Sequence, residues 1–185
     1  MTLFRDPAPE RASETAPTTP PGSGPEMRAV RLVEACEGVV AVRGSAVAWR
    51  DHVIVVPGEP GHGTGTGTLL RALLRAGATA YCTGFVLLGQ DGRVLPYPGR
   101  NAAPGLPLAL VASLAFDPAT GWDVRPLSTG HTVLTLADHA VTMRERPREV
   151  MDHVLAAVPG STGVSGTRGE AEEAAQRILG SCPTS

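Results

Sequence analysis

The chain contains no lysine; all 16 of its basic residues are arginine. Schiff-base chemistry and the ordinary P-loop kinase mechanism both need a lysine ammonium, so this chain alone can run neither. Aromatic residues make up 4% of the chain, too few for a platform on which single-stranded nucleic acid could stack. Charge of one sign is missing as well. The 16 basic and 18 acidic residues leave a net charge of −2, with no electrostatic footprint for nucleic acid or an anionic membrane. No apolar run approaches the roughly 20 residues of a membrane span. The opening, Met1-Thr2-Leu3-Phe4-Arg5-Asp6-Pro7, lacks the basic-then-apolar order of a secretory signal. The three cysteines, Cys36, Cys82 and Cys182, are too scattered for a disulfide framework or a zinc knuckle. Together these absences predict a reduced, cytoplasmic setting, with no nucleic-acid partner, no membrane and no metal centre.

Proline and glycine are abundant, and their placement divides the chain. Residues 1–26 carry Asp6-Pro7-Ala8-Pro9 and Thr15-Ala16-Pro17-Thr18-Thr19-Pro20-Pro21-Gly22-Ser23-Gly24-Pro25. Proline at that density removes backbone donors, and little apolar surface is present to offset the entropy of ordering. A disordered tail over 1–26, a folded unit over 27–181 and a short tail over 182–185 are expected. Within the folded unit, Val30–Val33, Val39–Val42 and Ala46–Trp49 predict short strands. His52-Val53-Ile54-Val55-Val56 is β-branched and apolar without alternation, the pattern of a strand buried on both faces. Thr68–Ala76 predicts a helix stopped by Gly77. Tyr81–Leu88 predicts one strand, turned back by Gln90-Asp91-Gly92-Arg93 into Val94-Leu95. Asp117–Trp122 predicts a loop, and Val133–Leu136 a strand or hairpin arm. Pro147–Val158 predicts a helix with Val150, Met151, Val154, Leu155 and Val158 on one face. Glu170–Leu179 predicts a last helix closing at Gly180.

Chemistry concentrates after the buried strand. Strand, glycine-rich loop and helix in that order form the arrangement that cradles phosphates, because glycines let backbone N–H groups converge on an anion at a helix N-terminus. Tested against G-x-x-x-x-G-K-[ST], the segment Gly58-Glu59-Pro60-Gly61-His62-Gly63-Thr64-Gly65 matches both glycines. Thr64 then stands in the lysine position and Gly65 in that of the Mg²⁺-binding hydroxyl. A second register over Gly65-Thr66-Gly67-Thr68 lengthens the loop by two residues and puts Thr66 in the lysine position. Neither restores a cation.

The order of this loop, the helix ending Leu73-Leu74-Arg75-Ala76-Gly77-Ala78, and the blocks Tyr81, Phe85-Val86-Leu87-Leu88, Asp91-Gly92-Arg93-Val94 and Pro96-Tyr97-Pro98 resembles the C-terminal domain of HPr kinase/phosphorylase. Gly166-Thr167-Arg168-Gly169-Glu170-Ala171-Glu172 resembles bacterial relatives of that domain. The resemblance spans Ala41 to Leu179. It implies an α/β fold shared with phosphoenolpyruvate carboxykinase, a mixed sheet flanked by helices with the phosphate loop at the carboxyl end of the His52–Val56 strand. It also implies ATP and Mg²⁺ as cofactors and assembly into a homo-oligomer. The family pattern calls for a lysine in the loop and for acidic residues on the strand after the loop helix. This chain has Thr83 and Gly84 there, and neither can serve as a general base near neutral pH.

The predicted phosphate loop comprises Gly58, Gly61, His62, Gly63, Thr64, Gly65, Thr66, Gly67 and Thr68. Arg100 and Arg168 are auxiliary cations, for each of which a structural salt bridge is the first expectation. Arg71 and Arg75 lie too far along the helix to reach a phosphate. Thr66 and Thr68 could instead close the loop on itself through side-chain to backbone bonds. His131, His139 and His153 have no metal-ligand spacing and read as structural histidines, and Cys82 as a small buried residue. Three functions stay open, in order of preference: a degenerate, kinase-like protein that binds a partner or a nucleotide; a divergent ATP-dependent serine kinase; and a small phosphate or anion binder. No catalytic residue is assigned.

Overall fold

A computed structural model describes residues 38–58, 65–96 and 104–182. The expected tail over 1–26, the strand at Val30–Val33, Cys36, Arg100 and the loop residues Gly61, His62, Gly63 and Thr64 lie outside the described residues.

The described chain is an α/β unit. Its strands are β1 (Val39–Trp49), β2 (His52–Pro57), β3 (Thr79–Cys82), β4 (Phe85–Gly89), β5 (Val94–Leu95), β6 (Leu108–Phe116), β7 (Asp123–Leu127) and β8 (Thr162–Arg168). Its helices are α1 (Thr66–Arg75), α2 (Thr129–Asp138), α3 (Pro147–Ala157) and α4 (Ala171–Ser181). The strands form one sheet in the order β5-β4-β1-β2-β6-β8-β7, with β3 also paired to β1. β2, β6 and β8 run parallel; the other pairings are antiparallel. A mixed sheet with helices on both faces is the fold class expected from the sequence.

Burial explains the layers. In β2, Val53 and Val55 join the core beneath α2 and α3, whose Val133, Leu136, Val150 and Val154 pack there. Ile54 and Val56 face the opposite layer with Leu69 and Leu73 of α1 and Ala174, Ala175 and Ile178 of α4. Apolar residues are needed on both sides of this strand, hence its unbroken apolar run.

Several elements differ from the sequence expectation. The two expected strands over Val39–Trp49 are one continuous strand, which pairs with β4 through its first half and with β2 through its second. Conversely, Tyr81–Leu88 is two strands, because Gly84 at φ 87° breaks the run and moves β4 along β1. The expected strand at Val133–Leu136 is helix. Ser128 accepts a hydrogen bond from the His131 N–H as its N-cap, and Thr132, Val133, Leu136 and Ala137 are buried at helical spacing. Leu155 of α3 is exposed rather than on the buried face. α4 runs through Gly180 to Ser181, and Cys182, the expected first residue of the tail, is buried against it. β6, β7 and β8 lie where the sequence pattern predicts no strand. No helix among the described residues is long and apolar enough to cross a membrane.

Candidate functional site

The three parallel strands end together. β2 finishes at Pro57, β6 at Phe116 and β8 at Arg168, and Phe116 pairs in register with Arg168. α1 begins over this edge, the place where open α/β sheets take ligands. Gly58 leaves β2 at φ 119°, its N–H donating to the Arg43 carbonyl at 3.2 Å. The other side of the loop returns at Gly65, which caps α1 in the left-handed region at φ 67°.

The start of the helix fixes the register. With Gly65 as cap and Thr66 as the first helical residue, the helix start coincides with the longer of the two registers read from the sequence, in which Thr66 occupies the lysine position and Gly67 the hydroxyl position. That first turn therefore offers no hydroxyl in the position that holds Mg²⁺ in the intact motif. Thr66 is buried, while Gly67 and Thr68 are exposed. The first turn has no side-chain cap and no acidic residue. A Cβ added at Gly67 would meet nothing within 4 Å. The positive end of the α1 dipole thus opens at the carboxyl edge of the sheet without a carboxylate in its own turn.

Among the described residues, one arginine reaches this cap. From the end of β8, Arg168 donates through Nη2 to the Gly65 carbonyl at 2.7 Å and through Nη1 to the Gly169 carbonyl at 2.8 Å. Its guanidinium carbon stands 5.3 Å from the centroid of the Phe116 ring. The salt bridge expected for Arg168 is not formed with any described residue. The reason is the register of β8, which turns the side chain inward beneath the α1 cap. Burial pulls its pKa below the ordinary arginine value, with Glu170 and Glu172 opposing that shift.

Where the family pattern calls for an acid, there is none. Thr83 is exposed, and Gly84 accepts the Gly44 N–H through its carbonyl at 3.0 Å. Gly44 is paired with Pro57, so Thr83-Gly84 sits close to the start of the glycine-rich loop. A Cβ at Gly84 would meet nothing within 4 Å. The backbone there, at φ 87°, is one that a residue with a side chain rarely adopts.

Asp117, not singled out in the sequence, follows β6 directly and is an acid at this edge that an apolar run ending in aspartate could have signalled. Its N–H donates to the Arg168 carbonyl at 2.9 Å. Its own oxygens accept the Ala119 N–H and the Thr120 hydroxyl. The Thr120 hydroxyl and then the Ala119 amide hold its pKa below the usual carboxylate value, which makes it a poor proton acceptor.

The remaining candidates are structural. Arg75 pairs with Glu172 of α4 on the surface, far from the α1 cap. His153 is buried with both ring nitrogens on backbone carbonyls, Glu149 at 2.8 Å and Gly38 at 2.9 Å. His139 bonds the Thr135 carbonyl and His131 the Ser128 hydroxyl. Cys82 is buried with Sγ 3.4 Å from the Leu95 carbonyl, and burial pushes its thiol pKa up to about 11. Among the described residues no cluster of three or more His, Cys, Asp or Glu side chains could hold a metal ion.

No family model matches the sequence, and no curated protein does. Among solved structures the chain is similar to the HPr(Ser) kinase/phosphatase from Coxiella burnetii, at a TM-score of 0.37 and 13% sequence identity. That similarity covers 76% of this chain and 91% of the other.

Proposed function

We propose that the protein binds a phosphate compound, a nucleotide or a smaller phosphate, at the start of α1 and holds it without transferring a phosphoryl group. It is on this reading a binding or regulatory protein with a kinase-like loop, not a kinase. One observation carries the reading: α1 starts at a left-handed glycine cap with no acid in its first turn, over the carboxyl ends of β2, β6 and β8. Such a cap presents backbone N–H groups and the positive end of the helix dipole to an anion. Transfer needs more, namely a cation on the moving phosphoryl group and a base on the acceptor hydroxyl. Thr66 fills the lysine position and Thr83-Gly84 the acidic one, which supports binding over transfer.

The test is thermal unfolding of the full chain with ATP, ADP, GTP, inorganic phosphate and pyrophosphate, each with and without Mg²⁺. A ligand at about 100 times its Kd adds about 2.7 kcal/mol, which raises the melting temperature by about 5–10 °C in a chain of this size. The expected result is a shift with at least one phosphate compound and no release of ADP from ATP above background. No shift with any of them would overturn the site. Steady ADP release would overturn the binding-only reading and favour a divergent kinase.

A further inference from the structure

We propose that Arg168 is the cationic anchor of this site, entering from β8 in place of the lysine that the loop lacks; the proposal rests on the reading of the α1 start as a phosphate site. Arg168 is 1% exposed and is the bulkiest fully buried side chain among the described residues. Charged side chains are almost never buried to this extent without a partner of opposite sign. Here no described carboxylate lies within ion-pair distance, and Glu172, one of the two acids that act on Arg168 from afar, is bound to Arg75. Each terminal nitrogen donates one of its two N–H groups to a carbonyl, and Nε is buried with no hydrogen-bond partner. Among the described residues the guanidinium therefore has no neutralising carboxylate, and not all of its donors are used.

Its position gives that charge a purpose. Nη2 holds the carbonyl of Gly65, the residue that caps α1, so the fixed cation and the positive end of the helix meet at one point. The approach is tight: a Cβ on Gly65 would come 2.5 Å from Nη2. An anion at the α1 cap would supply the countercharge that no described residue gives Arg168. The chemistry this favours is a phosphate with two or more negative charges, either free as pyrophosphate or carried on a nucleoside diphosphate. A guanidinium is planar and permanently charged, so it suits a phosphate oxygen better than a neutral hydroxyl donor would.

The experiment measures calorimetric Kd values of pyrophosphate and ADP for the full-length wild type, Arg168→Gln and Arg168→Lys. Loss of a charge-assisted contact predicts weakening of about tenfold to a hundredfold for Arg168→Gln. That loss is expected equally for both ligands, with partial recovery in Arg168→Lys. A purely structural arginine would lower the melting temperature of both variants and leave both Kd values within twofold of wild type, which overturns the proposal. Weakening of ADP alone would also overturn it, because the charge would then read something other than phosphate. Should Arg168→Gln fail to fold, the wild type still decides the matter: the Nε–H resonance of Arg168 must shift on saturation with pyrophosphate, and an unmoved resonance refutes the anchor. Failure of the wild type to bind either ligand defeats the underlying site, an outcome distinct from binding that ignores Arg168.

Discussion

Gly65→Ala probes the junction on which the site depends. Gly65 sits at φ 67°, and an alanine Cβ there would meet Arg168 Nη2 at 2.5 Å and Phe116 Cβ at 2.9 Å. The left-handed backbone alone costs alanine about 1 kcal/mol. Phe116 Cβ is anchored to β6 and cannot swing away, so the guanidinium must retreat from the Gly65 carbonyl. Weakening that charged hydrogen bond costs about 2 kcal/mol more. The sum, about 3 kcal/mol, lowers the melting temperature by about 6–12 °C in a chain of this length. Gly67→Ala is the matched control. Gly67 is helical and exposed, and its Cβ would meet nothing within 4 Å. Alanine there gains about 0.5–1 kcal/mol of helix propensity, a rise of about 1–4 °C. Circular-dichroism melts of the two variants beside wild type make the comparison. A Gly65→Ala protein melting within about 2 °C of wild type would refute both the left-handed cap and the contact with Arg168.

Other expectations follow from the same packing. Arg75→Ala removes a surface ion pair with Glu172 and should change stability by no more than about 1 kcal/mol, with pyrophosphate binding unchanged; a Kd shift above threefold would place Arg75 nearer the site than the helix allows. His153→Leu strips the partly buried Gly38 carbonyl of its imidazole donor and should cost about 1–2 kcal/mol, read as a lower urea midpoint at unchanged slope. Cys82 should react slowly with a disulfide reagent in the native protein at pH 8 and rapidly in denaturant, since burial raises its pKa to about 11. The same shift makes stability fall at alkaline pH. Between the ordinary thiol value of about 8.5 and about 11, the folded state keeps a proton that the unfolded chain has lost, so unfolding gains ground as pH rises. Stability that stays flat across this window in wild type, or falls equally in Cys82→Ala, would contradict that account.

The elements legible in the sequence are those whose local pattern and tertiary role agree. Val53–Val56 is apolar because both faces of β2 are covered, and α1 keeps Leu69, Ala72 and Leu73 on one face before Gly77 ends it. β8 is illegible because Gly163, Ser165 and Gly166 interrupt the strand-forming Thr162, Val164 and Thr167, leaving no apolar alternation to read. Its small residues answer to neighbours. A Cβ at Gly163 would lie 2.0 Å from Thr132 Oγ1 of α2, and one at Gly166 2.1 Å from the Asp123 carbonyl of β7. Only the close approach of those elements explains the glycines, and no local window contains it. α2 was misread for the opposite reason. Val133-Leu134-Thr135-Leu136 has strand-like composition, and the Ser128 cap together with one-sided burial overrides it. At the site, the loop and its missing lysine and acids could be read directly. The burial of Arg168 could not, since it depends on the pairing of β8 with β6 and on Gly65 folding back over both.

Replacing a loop lysine by an arginine on a neighbouring strand alters the chemistry the site can support. A lysine at the helix start has a flexible stem and can follow a phosphoryl group as charge moves during transfer. Arg168 has no such freedom, because two of its nitrogens are held by the Gly65 and Gly169 carbonyls and Phe116 covers its face. A cation fixed in this way stabilises a bound phosphate and a transition state to similar degrees, which lowers Kd without lowering the barrier. The vacant acid position at Thr83-Gly84 acts in the same direction, since no base there can take the proton of an attacking hydroxyl. The two departures from a kinase loop are therefore consistent with each other. On the proposed reading, each would leave affinity for phosphate in place while removing what would make the phosphate move.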